Sequence, residues 1–277
     1  MRLFDPYRRQ VMAIVNVTDD SFYAGGRSFD EVAVVQRVAR AVEEGAAIID
    51  VGGYSSRPQA ADVALEEEWR RVRLGLCAVR KVSPDVVLSV DTFRAEIVCR
   101  AVEEVGDIVV NDISAGRMDG AMYDVVAAHN LPYIMMHMRG TPQTMQQYCH
   151  YVDVVTEVRD ELLGAVAEAE RHGVCRENII LDPGFGFAKD TEQNFRLLGG
   201  LHSFEGFPLL VGMSRKSMIY KTLGITPDES LCATQTLSWE ALRQGAHLLR
   251  VHDVREAVQC IMLYEKYIKY DTGNGCM

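Results

Sequence analysis

The 277-residue chain has little of what marks several common protein classes. Its seven cysteines, Cys77, Cys99, Cys149, Cys175, Cys232, Cys260 and Cys276, are odd in number and never fall at C-x-x-C spacing. That argues against a disulfide framework or a zinc site and for a reducing compartment. No apolar run approaches the roughly 20 residues of a membrane span. The N-terminal stretch "MRLFDPYRRQ" has no apolar segment of signal-peptide length, so the expected location is cytoplasmic, with no membrane partner. Basic residues are in the minority, 29 against 39 acidic, for a formal charge of −10. General nucleic-acid binding needs a basic face, so no such partner is expected; a local cluster of Arg and Lys can still hold a small anion. No linker or low-complexity segment interrupts the chain. With 48% hydrophobic residues there is ample core for one domain over residues 1–277. Its core spans about residues 11–268, and "DTGNGCM" at 271–277 reads as a frayed tail.

What is present is a regular series of short apolar runs: "VMAIV" (11–15), "AAIIDV" (46–51), "VVLSV" (86–90), "DIVV" (107–110), "LPYIMM" (131–136), "IIL" (179–181), "PLLV" (208–211) and "HLLRV" (247–251). Each is continuous rather than alternating, as in strands buried on both faces of a parallel sheet. Helical periodicity separates them. Leu65, Trp69, Val72, Leu76 and Val79 recur at three- and four-residue steps, as do Val155, Val158, Leu162, Val166 and Ala169. Thr226, Pro227 and Glu229 read as an N-cap, a first-turn proline and a capping-box acid, and Ser28 with Glu31 repeats the capping-box spacing. Gly45, Gly173 and Gly245 stand where helices should stop. Eight strands alternating with helices predict an α/β fold, a single-domain (β/α)8 TIM barrel. The runner-up is an open doubly wound sheet. Its expected nucleotide loop is matched only by Gly184-Phe185-Gly186-Phe187-Ala188-Lys189, where a lysine takes the place of the third glycine.

In a barrel, chemistry gathers at the C-terminal ends of the strands. Just past the eight runs stand Asn16, Ser55–Ser56–Arg57, Asp91, Asn111, His137, Asp182, Arg215–Lys216 and Arg250–Val251–His252. Any one of these is as readily a turn former or helix cap; eight together are harder to explain that way. They divide by charge. Asp91, Asn111 and Asp182 supply acceptors; Arg57, Lys216, Arg250 and His252 supply donors and positive charge. A matching ligand carries an N–H-rich polar ring at one end and an anion at the other. Two loops are longer than the rest, "VTDDSFYAGGRS" after strand 1 and "YSSRPQAAD" after strand 2, and read as lids.

The segments "MAIVNVTDDSF", "IIDVGGYSSRP", "LSVDT", "VVNDIS", "MMHMRGTPQTMQ", "LDPGFGF", "LLVGMSRKS" and "LLRVHDV" resemble, in order and over residues 11–256, the dihydropteroate synthases. The resemblance implies a (β/α)8 barrel, usually dimeric and magnesium-using, and the target of sulfonamides. The implied reaction joins 6-hydroxymethyl-7,8-dihydropterin diphosphate to 4-aminobenzoate, giving 7,8-dihydropteroate and pyrophosphate for folate biosynthesis. It implies a pterin pocket of Asp91, Asn111, Met135, Asp182, Phe187, Lys216 and Arg250. It implies a diphosphate site of Asn16, Ser56, Arg57, Arg250 and His252, with Asn16 also a ligand to magnesium. The 4-aminobenzoate region would comprise Phe22, Arg57, Pro58, Phe187, Lys216 and Ser217. Arg57, Lys216, Arg250 and His252 would be catalytic, with magnesium, Arg57, Arg250 and His252 stabilising departing pyrophosphate before the amine attacks. The implied partners are small-molecule substrates and a second copy of the chain.

The chain departs from the family pattern in its two long loops. Asp19 takes the proline place of "TPDS", Tyr23–Ala24–Gly25–Gly26 replaces "SDGG", and Tyr54–Ser55–Ser56–Arg57–Pro58–Gln59 replaces "ESTRPG". These changes bear on loop motion and sulfonamide sensitivity rather than on the pterin pocket. The nearest rival is a pterin-dependent methyltransferase domain, which keeps the acidic pocket but has no diphosphate to hold. An aldolase using Lys216 as Schiff base leaves that acidic pocket without a purpose. A non-catalytic folate-binding protein would not need Asn16, Arg57, Lys216 and His252 together.

Overall fold

A computed structural model describes residues 4–18, 27–55 and 62–270. Among them the chain runs β1 (Gln10–Asn16), α1 (Arg27–Glu43), β2 (Ile48–Gly52), α2 (Leu65–Val82), β3 (Val87–Asp91), α3 (Ala95–Val105), β4 (Val109–Asp112), α4 (Met122–Ala128) and β5 (Tyr133–Met136). It continues α5 (Val154–Arg171), β6 (Ile179–Asp182), α6 (Thr191–Gly199), β7 (Leu210–Val211), α7 (Ser217–Leu223), α8 (Leu231–Arg243), β8 (Leu248–Val251) and α9 (Val254–Tyr270). The eight strands form one parallel sheet in the order β6-β5-β4-β3-β2-β1-β8-β7. A parallel bridge between Leu181 and Leu209 joins its two ends, with the Leu181 N–H donating to Pro208 O at 3.0 Å. The result is the expected barrel, nearly closed, with one strand at each apolar run.

Two apolar layers follow from strand geometry, since successive side chains point to opposite faces. Met12, Ile48, Val109, Ile134, Ile180, Leu210 and Leu248 fill the barrel interior. The alternate residues, among them Val11, Ile49, Leu88, Val110, Met135 and Leu249, pack outward against the helices. On α2 the predicted stripe is buried at Val72, Leu76 and Val79, and Leu65 and Trp69 pack partly against the same core. Burying each such aliphatic side chain contributes roughly 1.5–3 kcal/mol, which holds a helix against its strand. On α5 the same holds for Val158, Leu162, Val166 and Ala169.

The helix-stop glycines behave as expected. Gly45, Gly173 and Gly245 follow α1, α5 and α8 within two residues, all at positive φ. The start signals need adjustment. Thr226 does bond Glu229, through its N–H and hydroxyl, both 2.8 Å to Oε2. That pair begins a 3-10 turn, Asp228–Ser230, and α8 starts only at Leu231. Ser28, expected as an N-cap, already lies inside α1. The six cysteines among the described residues are free, and none of the described helices is long and apolar enough to cross a membrane.

Candidate active site at the barrel mouth

Counting upward from the interior apolar layer by twos identifies the side chains that face the mouth. From Met12 the count reaches Asn16; from Ile48, Asp50 and Gly52; from Val87, Ser89 and Asp91; from Val109, Asn111. From Ile134 it reaches Met136, from Ile180 Asp182, and from Leu248 Arg250 and His252. Gly52 sits between Asn16 and Asp91 in the ladder. A Cβ built there would lie 3.3 Å from Asn16 Oδ1 and 3.5 Å from Asp91 Oδ2, so glycine keeps open a space that both oxygens border.

One predicted pocket residue is misplaced. Met135 is fully buried in the outer core between strands and helices. Its neighbour Met136 takes the inward position, in a mouth cluster with Phe93, Ile113, Met138, Met145 and Ala188, against which Phe187 and Tyr54 also pack. A continuous apolar run does not reveal which parity faces in, and the one-residue offset exchanges the two faces.

The charged groups form a connected network. Asp50 is fully buried and accepts from Ser89 Oγ at 2.6 Å, Asn111 Nδ2 at 3.0 Å and Arg250 Nε at 2.7 Å. The same guanidinium donates to Asp91 Oδ2 at 2.6 Å. Arg250 is therefore tied to two carboxylates, and its remaining N–H donors are those available to a ligand. Because the amide nitrogen of Asn111 serves Asp50, its oxygen is the atom left as an acceptor. Burial pushes Asp91 up from the usual carboxylate range, with Asp50 and Glu68 adding repulsion, while Arg250 pulls it down. Glu68, fully buried on α2, accepts from Thr92 Oγ1 at 2.6 Å and Arg94 at 2.7 Å and so anchors the turn after β3. Asp50 was not among the expected site residues, since it lies inside a run read as core. The signal was there: a carboxylate within a continuously apolar strand requires a partner.

Asp182 is buried, and its Oδ1 accepts from the Gly184 N–H at 2.8 Å. Oδ2 accepts no hydrogen bond among the described residues. Burial raises its pKa; the Lys216 ammonium, the Gly184 N–H, Arg250 and Lys189 oppose that. Gly184 must be glycine twice over, with φ +72° and a Cβ position 2.0 Å from His137 O. Lys216 donates to Phe185 O and stands 4.5 Å above the Phe187 ring. Burial lowers its pKa to about 8, against the pull of Asp182. Ser217 is the first residue of α7, half-buried beside Lys216. His252 is exposed at the rim, its Nδ1 3.0 Å from Ser214 Oγ. The structure thus brings together Asn16, Asp91, Asn111, Asp182, Phe187, Lys216 and Arg250 and sets His252 at the edge. Phe22, Ser56, Arg57 and Pro58 lie outside the described residues.

Three strand-end residues serve other ends. Arg215 pairs with Asp253 at 2.6 Å and Asp228 at 2.8 Å. His137 is fully buried between Glu161, 3.1 Å from Nε2, and Lys189, 3.0 Å from Nδ1. Tyr54, where the family pattern has a carboxylate, donates to Asp62 Oδ1 at 3.1 Å and accepts from Gln143 Nε2 at 3.1 Å. The loop from Gly184 to Lys189 is no nucleotide loop: the lysine amine is turned inward onto the loop's own carbonyls.

Residues 12–252 match the family model described as "Pterin binding enzyme". The chain is 42% identical over 257 residues to a dihydropteroate synthase of Escherichia coli, covering 92% of this chain and 90% of that one. Among solved structures it is similar to a Xanthomonas albilineans dihydropteroate synthase with 4-aminobenzoic acid, at TM-score 0.87 and 38% identity, covering 94% and 93% of the two chains. A structure of dihydropteroate synthase from the same organism in complex with 7,8-dihydropteroate superposes at TM-score 0.85 with 35% identity, covering 96% of this chain and 95% of that one.

Proposed function

The chain belongs to the dihydropteroate synthase family of pterin-binding enzymes, and from that premise we propose how the groups at its barrel mouth divide the work. The reaction joins 6-hydroxymethyl-7,8-dihydropterin diphosphate to 4-aminobenzoate and releases 7,8-dihydropteroate and pyrophosphate, a transferase step of folate biosynthesis. One observation carries the assignment of the ring site: Asp182 is a buried carboxylate with one oxygen held by a backbone N–H and the other without a hydrogen bond among the described residues. The amino and ring N–H edge of a pterin presents the donors this carboxylate needs. Asn111 offers its amide oxygen to the same ring, Asp91 the part of its carboxylate not taken by Arg250, and Lys216 reaches the pterin carbonyl. Phe187 and Met136 supply the apolar wall.

Arg250, with its unspent N–H groups, and His252 face the diphosphate, assisted by Ser56 and Arg57 from the second long loop on the strength of the family pattern. The bond from the pterin methylene to the diphosphate oxygen breaks with its electron pair leaving on pyrophosphate. The cationic residues stabilise that charge. The methylene cation is delocalised into the ring, and the neutral aromatic amine forms the new C–N bond and loses a proton. No strong general base is required. On the family pattern, Phe22, Arg57 and Pro58 join Lys216, Ser217 and Phe187 on the 4-aminobenzoate side, and the two long loops would exclude water from the cation.

The donor set fits magnesium. It consists of one amide oxygen, Asn16 Oδ1, bordering the space above Gly52, with no cluster of three or more His, Cys, Asp or Glu metal ligands among the described residues. A hard ion that keeps its waters and takes most of its oxygens from a diphosphate suits such a site. When bound it neutralises charge on the leaving group. The protein is also proposed to be cytoplasmic and to pair with a second copy. Exposed Met262, Leu263 and Tyr270 on α9 offer an apolar face consistent with pairing.

Incubation with pterin diphosphate, 4-aminobenzoate and magnesium should yield dihydropteroate and pyrophosphate in equal amounts. EDTA should suppress both and excess magnesium restore them. Asp182→Asn should raise KM for the pterin roughly 10- to 100-fold, the value of a charge-assisted hydrogen bond. Pyrophosphate release that ignores 4-aminobenzoate would mean hydrolysis. Product formed from methyltetrahydrofolate and a corrinoid instead would favour a methyltransferase.

A further inference from the structure

Lys189 is the residue where the glycine pattern of its loop breaks, and none of the chemistry above uses it. Only 4% of its surface is exposed. Its Nζ lies 2.9 Å from Gly184 O, 2.9 Å from Phe187 O and 3.0 Å from His137 Nδ1. Three acceptors match the three donors of an ammonium; a neutral amine has only two. His137 Nδ1 must then accept, which places the imidazole proton on Nε2, where it faces Glu161 Oε2 at 3.1 Å. Burial and the Lys189 charge hold His137 neutral by lowering its pKa to about 4. Burial pushes Glu161 up, but hydrogen bonds from His137 and Arg139 outweigh it and hold the carboxylate at about 2. A buried amine, a neutral imidazole and a fixed carboxylate thus form a chain from the pterin loop to α5, with Arg139 closing its far end at Glu161.

The near end of that chain grips the turn that shapes the pocket. Gly184 is bracketed: its N–H holds Asp182 Oδ1 and its carbonyl receives Lys189. Phe187, the aromatic wall, is gripped by the same amine at its carbonyl. We propose that Lys189 is a positioning residue of the pterin pocket, whose ammonium fixes the turn from Asp182 to Phe187 and adds to the positive charge of Lys216 and Arg250 that keeps Asp182 ionised. The inference rests on the reading of Asp182 as the pterin carboxylate. Around Asp182 the charged groups are Lys216, Arg250 and Lys189. Around Lys189 they are Asp182, Lys216, Glu161 and Arg139, beside neutral His137. Burial lowers the Lys189 pKa to about 7 and Asp182 pulls it back up, so the charge is poised rather than permanent.

The test compares the pH dependence of kcat/KM for the pterin diphosphate in wild type, Lys189→Met and Lys189→Arg. Without the ammonium, Asp182 is harder to ionise and its folded pKa rises. The acid limb of Lys189→Met should therefore move up by about one pH unit, with KM at neutral pH raised about tenfold and kcat at saturating pterin retained. Lys189→Arg keeps the charge and should leave the limb in place even where affinity drops. An unmoved limb in folded Lys189→Met overturns the proposal. Should that variant not fold, 15N NMR of the wild-type Lys189 amine decides. Pterin bound at Asp182 shields that carboxylate from solvent and strengthens its attraction for Lys189, so the amine's titration midpoint should rise on binding of 6-hydroxymethylpterin; an unchanged midpoint overturns the proposal. Asp182→Asn serves as the control: if it binds pterin like wild type, the ring-site reading fails and takes this inference with it.

Discussion

Replacing Asp50 tests whether the floor of the site is built as described. Its carboxylate accepts from Ser89 Oγ at 2.6 Å, Arg250 Nε at 2.7 Å and Asn111 Nδ2 at 3.0 Å, with no exposure to solvent. In Asp50→Asn the amide nitrogen can face Ser89, whose hydroxyl rotates to accept, and the amide oxygen still serves Asn111 and Arg250. What is lost is one charge opposite a half-buried guanidinium that keeps Asp91, a cost of about 2 kcal/mol. In Asp50→Ala, Arg250 loses one of its two carboxylates, and the Asn111 amide and Ser89 hydroxyl lose their acceptor. Stranding them should cost about 4 kcal/mol. Urea unfolding gives both numbers, and equilibrium titration with 6-hydroxymethylpterin reads the site. Asp50→Asn should weaken pterin binding about tenfold because a neutral amide oxygen holds the Asn111 amide and the Arg250 guanidinium less firmly than a carboxylate does. Asp50→Ala as stable as wild type within about 1 kcal/mol, or with unchanged pterin affinity, would refute this account of the floor.

Two further predictions concern the turn after β6 and its supports. Gly184→Ala places a Cβ 2.0 Å from His137 O at φ +72° and should cost about 3 kcal/mol or more, read as a drop in Tm together with loss of pterin binding. His137 has a folded pKa of about 4, below its unfolded value of 6.5. The unfolded chain then binds the proton first, so this residue's contribution to stability is complete above pH 6.5 and is lost as pH falls toward 4. Subtracting the Tm-versus-pH curve of His137→Gln from that of the wild type should show this slope in that window. A difference that stays flat between pH 7 and 4 would mean that His137 takes up its proton at the same pH in the fold as in the unfolded chain.

Much of the barrel could be read from local patterns. The eight apolar runs became eight parallel strands, the helical stripes on α2 and α5 are buried, and the stop glycines end their helices. These features are local: a run, a period of 3.6 or a positive φ is written in neighbouring residues. The positions of Asn16, Asp91, Asn111, Asp182 and Arg250 were legible for the same reason, since a polar residue ending an apolar run marks a strand's mouth. Face selection was not legible. Met135 and Met136 are chemically alike and adjacent, and only packing decides that Met136 looks inward. Asp50 was passed over because its three partners lie 39, 61 and 200 residues away.

The sequence by itself determined where strands begin and end, and which of them close on a carboxylate, an amide or a cation. Tertiary structure decided how those groups are shared. The ladder places β8 beside β1, Arg250 opposite Met12, and β1 beside β2. That brings one guanidinium within reach of both Asp50 and Asp91. Asp182, across the barrel, keeps one backbone N–H and a Coulombic hold from Lys216, Arg250 and Lys189. Three similar aspartates thus come to differ: two bond the protein's own arginine, and one keeps an oxygen without a hydrogen bond among the described residues. No local pattern encodes that difference, because a buried charge takes its partner from whichever strand the closed barrel sets beside it.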